Sequence, residues 1–115
     1  MLKRQFRLSS KYEFNITRKY GKNAEGKWFY MYYLIPRNYK GVSKAGIVIS
    51  NKYSKSAVKR NKLKRLFREA LRANFDRIPE GFWIVIYPKH QAGRKKYEEI
   101  STAFAKTIQE VFVST

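Results

Sequence analysis

A chain of 115 residues supplies one hydrophobic core rather than two, and its 43% hydrophobic content, with 9 Tyr, 8 Phe and 2 Trp, excludes a disordered polybasic tail. Lys and Arg number 26 against 8 Asp and Glu, a formal net charge of +18 that calls for a polyanionic partner, nucleic acid ahead of an anionic membrane. The absence of cysteine excludes a disulfide framework, a thiolate nucleophile and any Cys-ligated metal.

The first residues, MLKRQFRLSSKYEF, hold no apolar run of the kind a signal peptide needs, and no stretch is long enough to span a bilayer. The expectation is a single nucleic-acid-binding domain over residues 1–115, cytoplasmic, with no membrane and no obligate protein partner. Residues 1–9 are basic and irregular. Ser9 or Ser10 is placed to cap a short helix carrying Tyr12, Phe14 and Ile16. Tyr20-Gly21-Lys22-Asn23 reads as a bend. Lys27 to Ile35 is the strongest strand signal, with aromatics on both faces, one for the core and one for use or partial exposure; alternation alone does not say which is which. After a turn at residues 36–41, Lys44 to Ser50 reads as a short strand, near enough in sequence to pair antiparallel with the first.

From Ser54 or Ser56 the period changes from two to 3.6. Leu63, Leu66, Phe67, Ala70 and Asn74 form one face of a helix, and Asn61, Arg65, Arg68 and Arg72 the opposite one. Arg60 and Lys64 lie between them, beside Leu71, where they would rim an interface. The helix is expected to end near Phe75 or Asp76, ahead of Pro79 and Gly81. Phe82 to Tyr87 reads as a central strand covered on both faces, Pro88 to Gly93 as a loop, and Lys95 to Phe112 as a last helix burying Tyr97, Ile100, Phe104, Ile108 and Val111. Helices over a small mixed sheet are the economical arrangement.

The charge is concentrated in the middle helix. Between Lys52 and Arg72 stand nine basic residues and one acid, Glu69. Like charges at i,i+3 and i,i+4 repel by a few tenths of a kcal/mol per pair, so a helix that carries this many is suited to meet phosphates. Arginine offers a rigid fork of donors and lysine a mobile positive charge. A solvated face of an ordinary basic protein mixes Glu and Asp among its cations, and this one scarcely does.

Protein-borne catalysis has little to work with. Glu98 and Glu99 are adjacent on a helix and do not face each other, and Asp76 and Glu80 flank a turn, whereas a two-metal nuclease needs carboxylates converging on ions about 4 Å apart. His90, the only histidine, lies in a basic loop and reads as exposed rather than as a general base. Gly41 and Gly46 lack the spacing of a phosphate-binding loop. No catalytic and no metal-ligating residues are assigned.

The run Ser56-Ala57-Val58-Lys59-Arg60-Asn61-Lys62-Leu63-Lys64-Arg65-Leu66-Phe67-Arg68-Glu69-Ala70-Leu71-Arg72 resembles the signature of the bacterial ribonuclease P protein component: an Ala-Val pair, basic-Asn-basic, then Lys-Arg and Arg-Glu-Ala along the helix. The resemblance covers nearly the whole chain. Phe6-Arg7-Leu8 and Phe14 are similar to the family's N-terminal segment, residues 46–52 to the strand leading into the signature, and residues 79–86 to the penultimate strand. Two departures stand out: Tyr87-Pro88-Lys89 occupies the place of an Ala-Arg pair, and Arg18 that of a frequent aromatic.

The resemblance implies an α+β fold, a small mixed four-stranded sheet packed with helices in the order α-β-β-β-α-β-α, with a left-handed βαβ crossover like the second domain of ribosomal protein S5. It implies a protein subunit of an endoribonuclease, a hydrolase whose catalytic centre lies in a large RNA that binds Mg2+ and removes the 5′ leader of precursor tRNA. By that resemblance Lys59, Arg60, Asn61, Lys64, Arg65, Arg68 and Arg72 contact the catalytic RNA. Phe14, with Tyr30 or Tyr32 from the strand and with Arg18 and Lys52, lines a cleft for the single-stranded leader. The chief rival is a basic accessory or ribosomal-type RNA-binding protein with no part in cleavage. The compact signature from Ala57 to Ala70, together with the aromatic strand, separates the two.

Overall fold

The structure is a computed structural model that describes residues 3–49 and 52–113. Its elements are α1 (Lys11–Tyr20), β1 (Lys22–Glu25), β2 (Phe29–Leu34), β3 (Lys44–Ile47), α2 (Ala57–Asn74), β4 (Trp83–Pro88) and α3 (Tyr97–Ile108), the expected order. One four-stranded mixed sheet runs β1-β2-β4-β3. β1, β2 and β4 are antiparallel neighbours, and β3 runs parallel to β4 with α2 as the crossover. Short 3-10 turns precede α1, follow α2 and precede α3, and a π-helical turn over Gln109–Val113 ends the chain's last helix.

Three expectations are corrected. The strand over 27–35 does not pair with the strand over 44–50, because β4 lies between β2 and β3. Its Trp83, Ile84, Val85 and Ile86 are all buried, so the most apolar strand takes the central place and gives each neighbour a fully paired edge. Ser50, at the end of the expected strand, lies outside the described residues. The bend at Tyr20–Asn23 reduces to Gly21, and Lys22–Glu25 forms the edge strand β1. A Cβ on Gly21 would lie 2.4 Å from the Thr17 carbonyl oxygen and 2.8 Å from that of Tyr33, so the close approach of α1 to β2 requires glycine there. The last helix starts at Tyr97, because residues 90–94 take a 3-10 turn.

Each long helix is built as its sequence dictates. Ser10 accepts from the Glu13 N–H at 3.1 Å, while the Glu13 carboxylate accepts from the N–H groups of Ser9 and Ser10 at 2.8 and 3.0 Å, a capping box. Ser56 caps α2 by accepting from the Lys59 N–H. Leu63, Phe67, Ala70, Leu71 and Asn74 form the buried stripe of α2, with Leu66 half-buried. Asn74 is satisfied inside the core by donating to the Ala70 carbonyl at 2.8 Å and the Ser101 hydroxyl at 3.2 Å.

The sheet has two unlike faces. Phe29, Met31, Ala45, Ile47, Ile84 and Ile86 turn toward α2 and α3 and make the main core. Trp83 and Val85 turn the other way with Leu8, under Phe14 and Ile16 of α1. The Leu8 N–H donates to the Ala45 carbonyl at 3.0 Å, so the N-terminal segment covers the outer edge of β3. Phe67 is fully buried edge-on to Phe29 and Phe104, at ring separations of 6.2 and 5.7 Å, and those two stack at 4.4 Å. Phe67→Ala should cost about 3–5 kcal/mol, a large share of the whole stability of a small domain, read as a lowered urea midpoint.

Candidate nucleic-acid interface

Helix α2 divides its charges among three surroundings. Asn61, Arg65 and Arg72 are exposed on its outer face. Arg60, Lys64 and Arg68 are half-buried along the flank next to α1 and β3, and Lys59 and Lys62 lie on the flank next to α3. Arg60 is fixed by donating from Nη1 to the Ser54 carbonyl at 2.7 Å. Arg72 is paired 3.3 Å from Glu69, which leaves Arg65 as the principal cation of the outer face, with Arg68 at its border with the α1 flank.

On the α1 flank, Lys64 and Arg68 meet Arg7 around a cavity of about 240 Å³ that has Phe14 and Gly46 in its wall and no carboxylate. Arg7 Nε is buried there without a hydrogen-bond partner among the described residues. Burial, and secondarily the Arg68 guanidinium, push the Lys64 ammonium below the usual lysine pKa. An uncompensated cation cluster with an orphaned donor is suited to an oxyanion, which would relieve both. Arg7 was not among the residues singled out from the sequence. Its signal is weak: the sequence offers it only within Phe6-Arg7-Leu8, as one of three cations among the first nine residues.

Phe14 reaches this cavity because β3 has a glycine beneath it. A Cβ on Gly46 would lie 2.3 Å from Phe14 Cζ. One turn on, the Arg18 guanidinium sits 5.8 Å over the Tyr87 ring, and Tyr87 meets Tyr32 edge-on at 5.6 Å. Lys89 Nζ lies 4.8 Å from the Tyr30 ring centre and pairs with Glu25. The face of the 27–35 strand away from the main core therefore carries Tyr30 and Tyr32, with Tyr30 exposed. Phe14, Arg18, Tyr30 and Tyr32 share this side of the molecule with Tyr87. Lys52 is exposed in the turn before α2.

Tyr87 is the functional candidate that the sequence concealed. A continuous apolar strand masks parity, but Trp83, Val85 and Tyr87 share one face, and only Tyr87 lies beyond the cover of α1's first turns. The two places where the chain departs from the pattern it resembles, at positions 18 and 87, are in cation–π contact.

Comparison with known proteins shows the family. Residues 2–111 match the family model described as Ribonuclease P. The chain belongs to the ribonuclease P protein family. The Ribonuclease P protein component of Thermotoga maritima is 36% identical over 107 residues, covering 93% of this chain and 86% of that protein, and that of Clostridium beijerinckii is 33% identical over 110 residues, covering 91% and 87%. Among solved structures, the RNase P protein of Thermotoga maritima superposes with a TM-score of 0.79 at 28% identity, over 91% of this chain and 96% of that one. The Staphylococcus aureus RNase P protein shares the fold, with a TM-score of 0.79 at 22% identity over 96% and 98% of the two chains. The chain is accordingly a protein subunit of the endoribonuclease ribonuclease P, in tRNA 5′ processing, and associates with RNase P RNA.

Two predictions concern how α1 and β3 hold the aromatic side. Gly46→Ala should swing the Phe14 ring off the sheet, lower stability by about 1–3 kcal/mol and raise the solvent accessibility of Phe14 in fluorine NMR of the labelled ring. Partial burial pushes the Glu13 carboxyl up, but the Ser9 and Ser10 N–H groups and the Lys44 ammonium, 3.5 Å away, outweigh it and hold its pKa below the ordinary value. The stabilisation is therefore present above the unfolded-state pKa and lost as pH falls through the lower folded-state one. Glu13→Gln should melt below the parent at neutral pH, with the gap closing as melts are taken down to about pH 3; a gap independent of pH would make the contact one of packing alone.

Proposed function

We propose that the chain works as a two-sided adaptor: the outer face of α2 holds the catalytic RNA while the aromatic side of the sheet holds the single-stranded 5′ leader of precursor tRNA. The observation that carries this reading is the cavity of Arg7, Lys64 and Arg68, since Phe14 stands in its wall and joins the cationic helix to the aromatic surface. A helix face of arginines neutralises phosphates irrespective of sequence. Tyr30, Tyr32 and Tyr87, flanked by Arg18 and Lys89, offer stacking surfaces beside positive charge, the combination that unpaired bases accept without sequence preference. Lys59, Arg60, Asn61, Lys64, Arg65, Arg68 and Arg72 are assigned to the catalytic RNA, and Phe14, Arg18, Tyr30, Tyr32 and Lys52 to the leader, with Tyr87 added.

Magnesium is assigned to the RNA. Among the described residues no group of three or more His, Cys, Asp or Glu is placed to hold a metal ion. The contribution of this subunit is then charge neutralisation, which lowers the magnesium needed to bring two RNAs together. Among the described residues no helix is long and apolar enough to cross a membrane. The proposed site of action is the cytoplasm.

The test is cleavage of a leader-bearing precursor tRNA by a bacterial ribonuclease P RNA at low magnesium, with and without this protein. Cleavage only when both are present supports the adaptor; no stimulation of an RNA that is active at high magnesium, by protein shown to be folded, overturns it. Arg65→Ala with Arg68→Ala should weaken binding to the catalytic RNA and lower the slope of log affinity against log salt by about 1.8, two contacts at roughly 0.9 each, with the fold intact. An unchanged affinity and slope would remove α2 from the interface.

A further inference from the structure

The flank of α2 that faces away from the aromatic side is also a groove. Lys59, Lys62 and Arg65 form one wall and Arg94, Lys95 and Lys96 the other, about a cavity of roughly 980 Å³. Two carboxylates, Glu69 and Glu98, reach this lining, and Glu69 is already paired with Arg72. None of Arg94, Lys95 and Lys96 is on the signature helix. In sequence they are three cations between a loop and a helix start.

The structure fixes that second wall. Tyr53, in the turn leading into α2, packs edge-on to His90 at 5.9 Å, and a Cβ on Gly93 would lie 2.2 Å from the Tyr53 hydroxyl oxygen. Glycine at 93 therefore lets the segment close onto Tyr53 and brings Arg94–Lys96 up beside the start of α2. Lys95 is drawn aside, its Nζ lying 4.5 Å from the Trp28 ring centre. Arg94 and Lys96 are exposed, as are Lys59, Lys62 and Arg65 across from them. Cations gathered on two separately anchored walls repel one another, and a polyanion between them relieves the repulsion.

We propose that this groove binds the phosphodiester backbone of the catalytic RNA, so that the RNA lies along the outer face of α2 and over its α3 flank. The inference rests on the assignment of α2 to the catalytic RNA. The choice of RNA over substrate follows from continuity: Arg65 belongs to both the outer face and the groove, whereas the aromatic surface lies beyond the opposite flank.

The charge-reversed pair Arg94→Glu with Lys96→Glu, verified as folded by its melting curve, should bind ribonuclease P RNA at least about tenfold more weakly at physiological salt, with the salt slope reduced by about 1.8. The dependence of precursor affinity on leader length should stay as in the parent holoenzyme. Unchanged RNA affinity and slope, when Arg65→Ala with Arg68→Ala weakens binding, overturns the groove alone; insensitivity of both variants overturns the assignment of α2 as well. A loss confined to leader-bearing precursor overturns the groove's partner and gives it to the substrate. The chain has no cysteine, so Lys96→Cys provides a unique tether for an iron chelate. Hydroxyl-radical cleavage of the catalytic RNA in the complex without tRNA is the expected result, and an uncut RNA overturns the proposal even if the charge-reversed protein fails to fold.

Discussion

The interaction on which everything else depends is the edge-on packing of Phe67 against the stacked rings of Phe29 and Phe104. A helix with this many cations at i,i+3 and i,i+4 loses a few tenths of a kcal/mol for each like pair and would not hold its shape alone. One fully buried aromatic, flanked by Leu63, Ala70 and Leu71, offsets several such pairs at about 25 cal/mol per Å² of apolar surface buried. The helix is thus held from below, by the apolar stripe. Its charges remain free to be arranged for a partner rather than for self-consistency, at the expense of isolated stability.

The same sheet that receives Phe67 is covered unequally on its other side. α1 has ten residues and lies over β2 and β4, and its first turns seal Trp83 and Val85. Tyr30, Tyr32 and Tyr87 lie toward the part it leaves open. Two glycines set how closely this helix sits, Gly21 at its end against Tyr33 and Gly46 under Phe14. The capping box fixes its beginning, with Glu13 joined to Lys44 of β3. An aromatic surface open to solvent would be a liability in a chain with no partner. Here it is bordered by Arg18 and Lys89, whose charges oppose association between copies and favour an anion.

How much of this was legible follows the reach of each determinant. Helix α2 was legible to within a few residues, because its period and apolar stripe are local. The place of β4 at the centre was half-legible: its uninterrupted apolar run marked a strand covered twice, but not which strands flank it. β1 was invisible, since Lys22-Asn23-Ala24-Glu25 has no apolar alternation and is held by backbone pairing with β2. Of the candidate site, the cationic helix was plain. The outward side of β2 was not, because it is decided by where α1 lies. Arg7 and Tyr87 became candidates only through neighbours distant in sequence, Lys64 and Arg68 for the first and Arg18 and Tyr32 for the second.

A helix has a circumference, and a cationic helix with one buried stripe must do something with both flanks. On the α1 flank the cations are half-buried, near an aromatic ring and an unpaired guanidinium nitrogen, where a single well-placed oxyanion would have its largest effect because the surroundings are poorly hydrated. On the α3 flank they are exposed and spread along a longer groove, where water and salt screen each one and only an extended polyanion gains by meeting several at once. The two flanks are therefore suited to different tasks. The tight one is fitted to fix a position, the open one to supply affinity, and the helix between them makes the second depend on salt far more than the first.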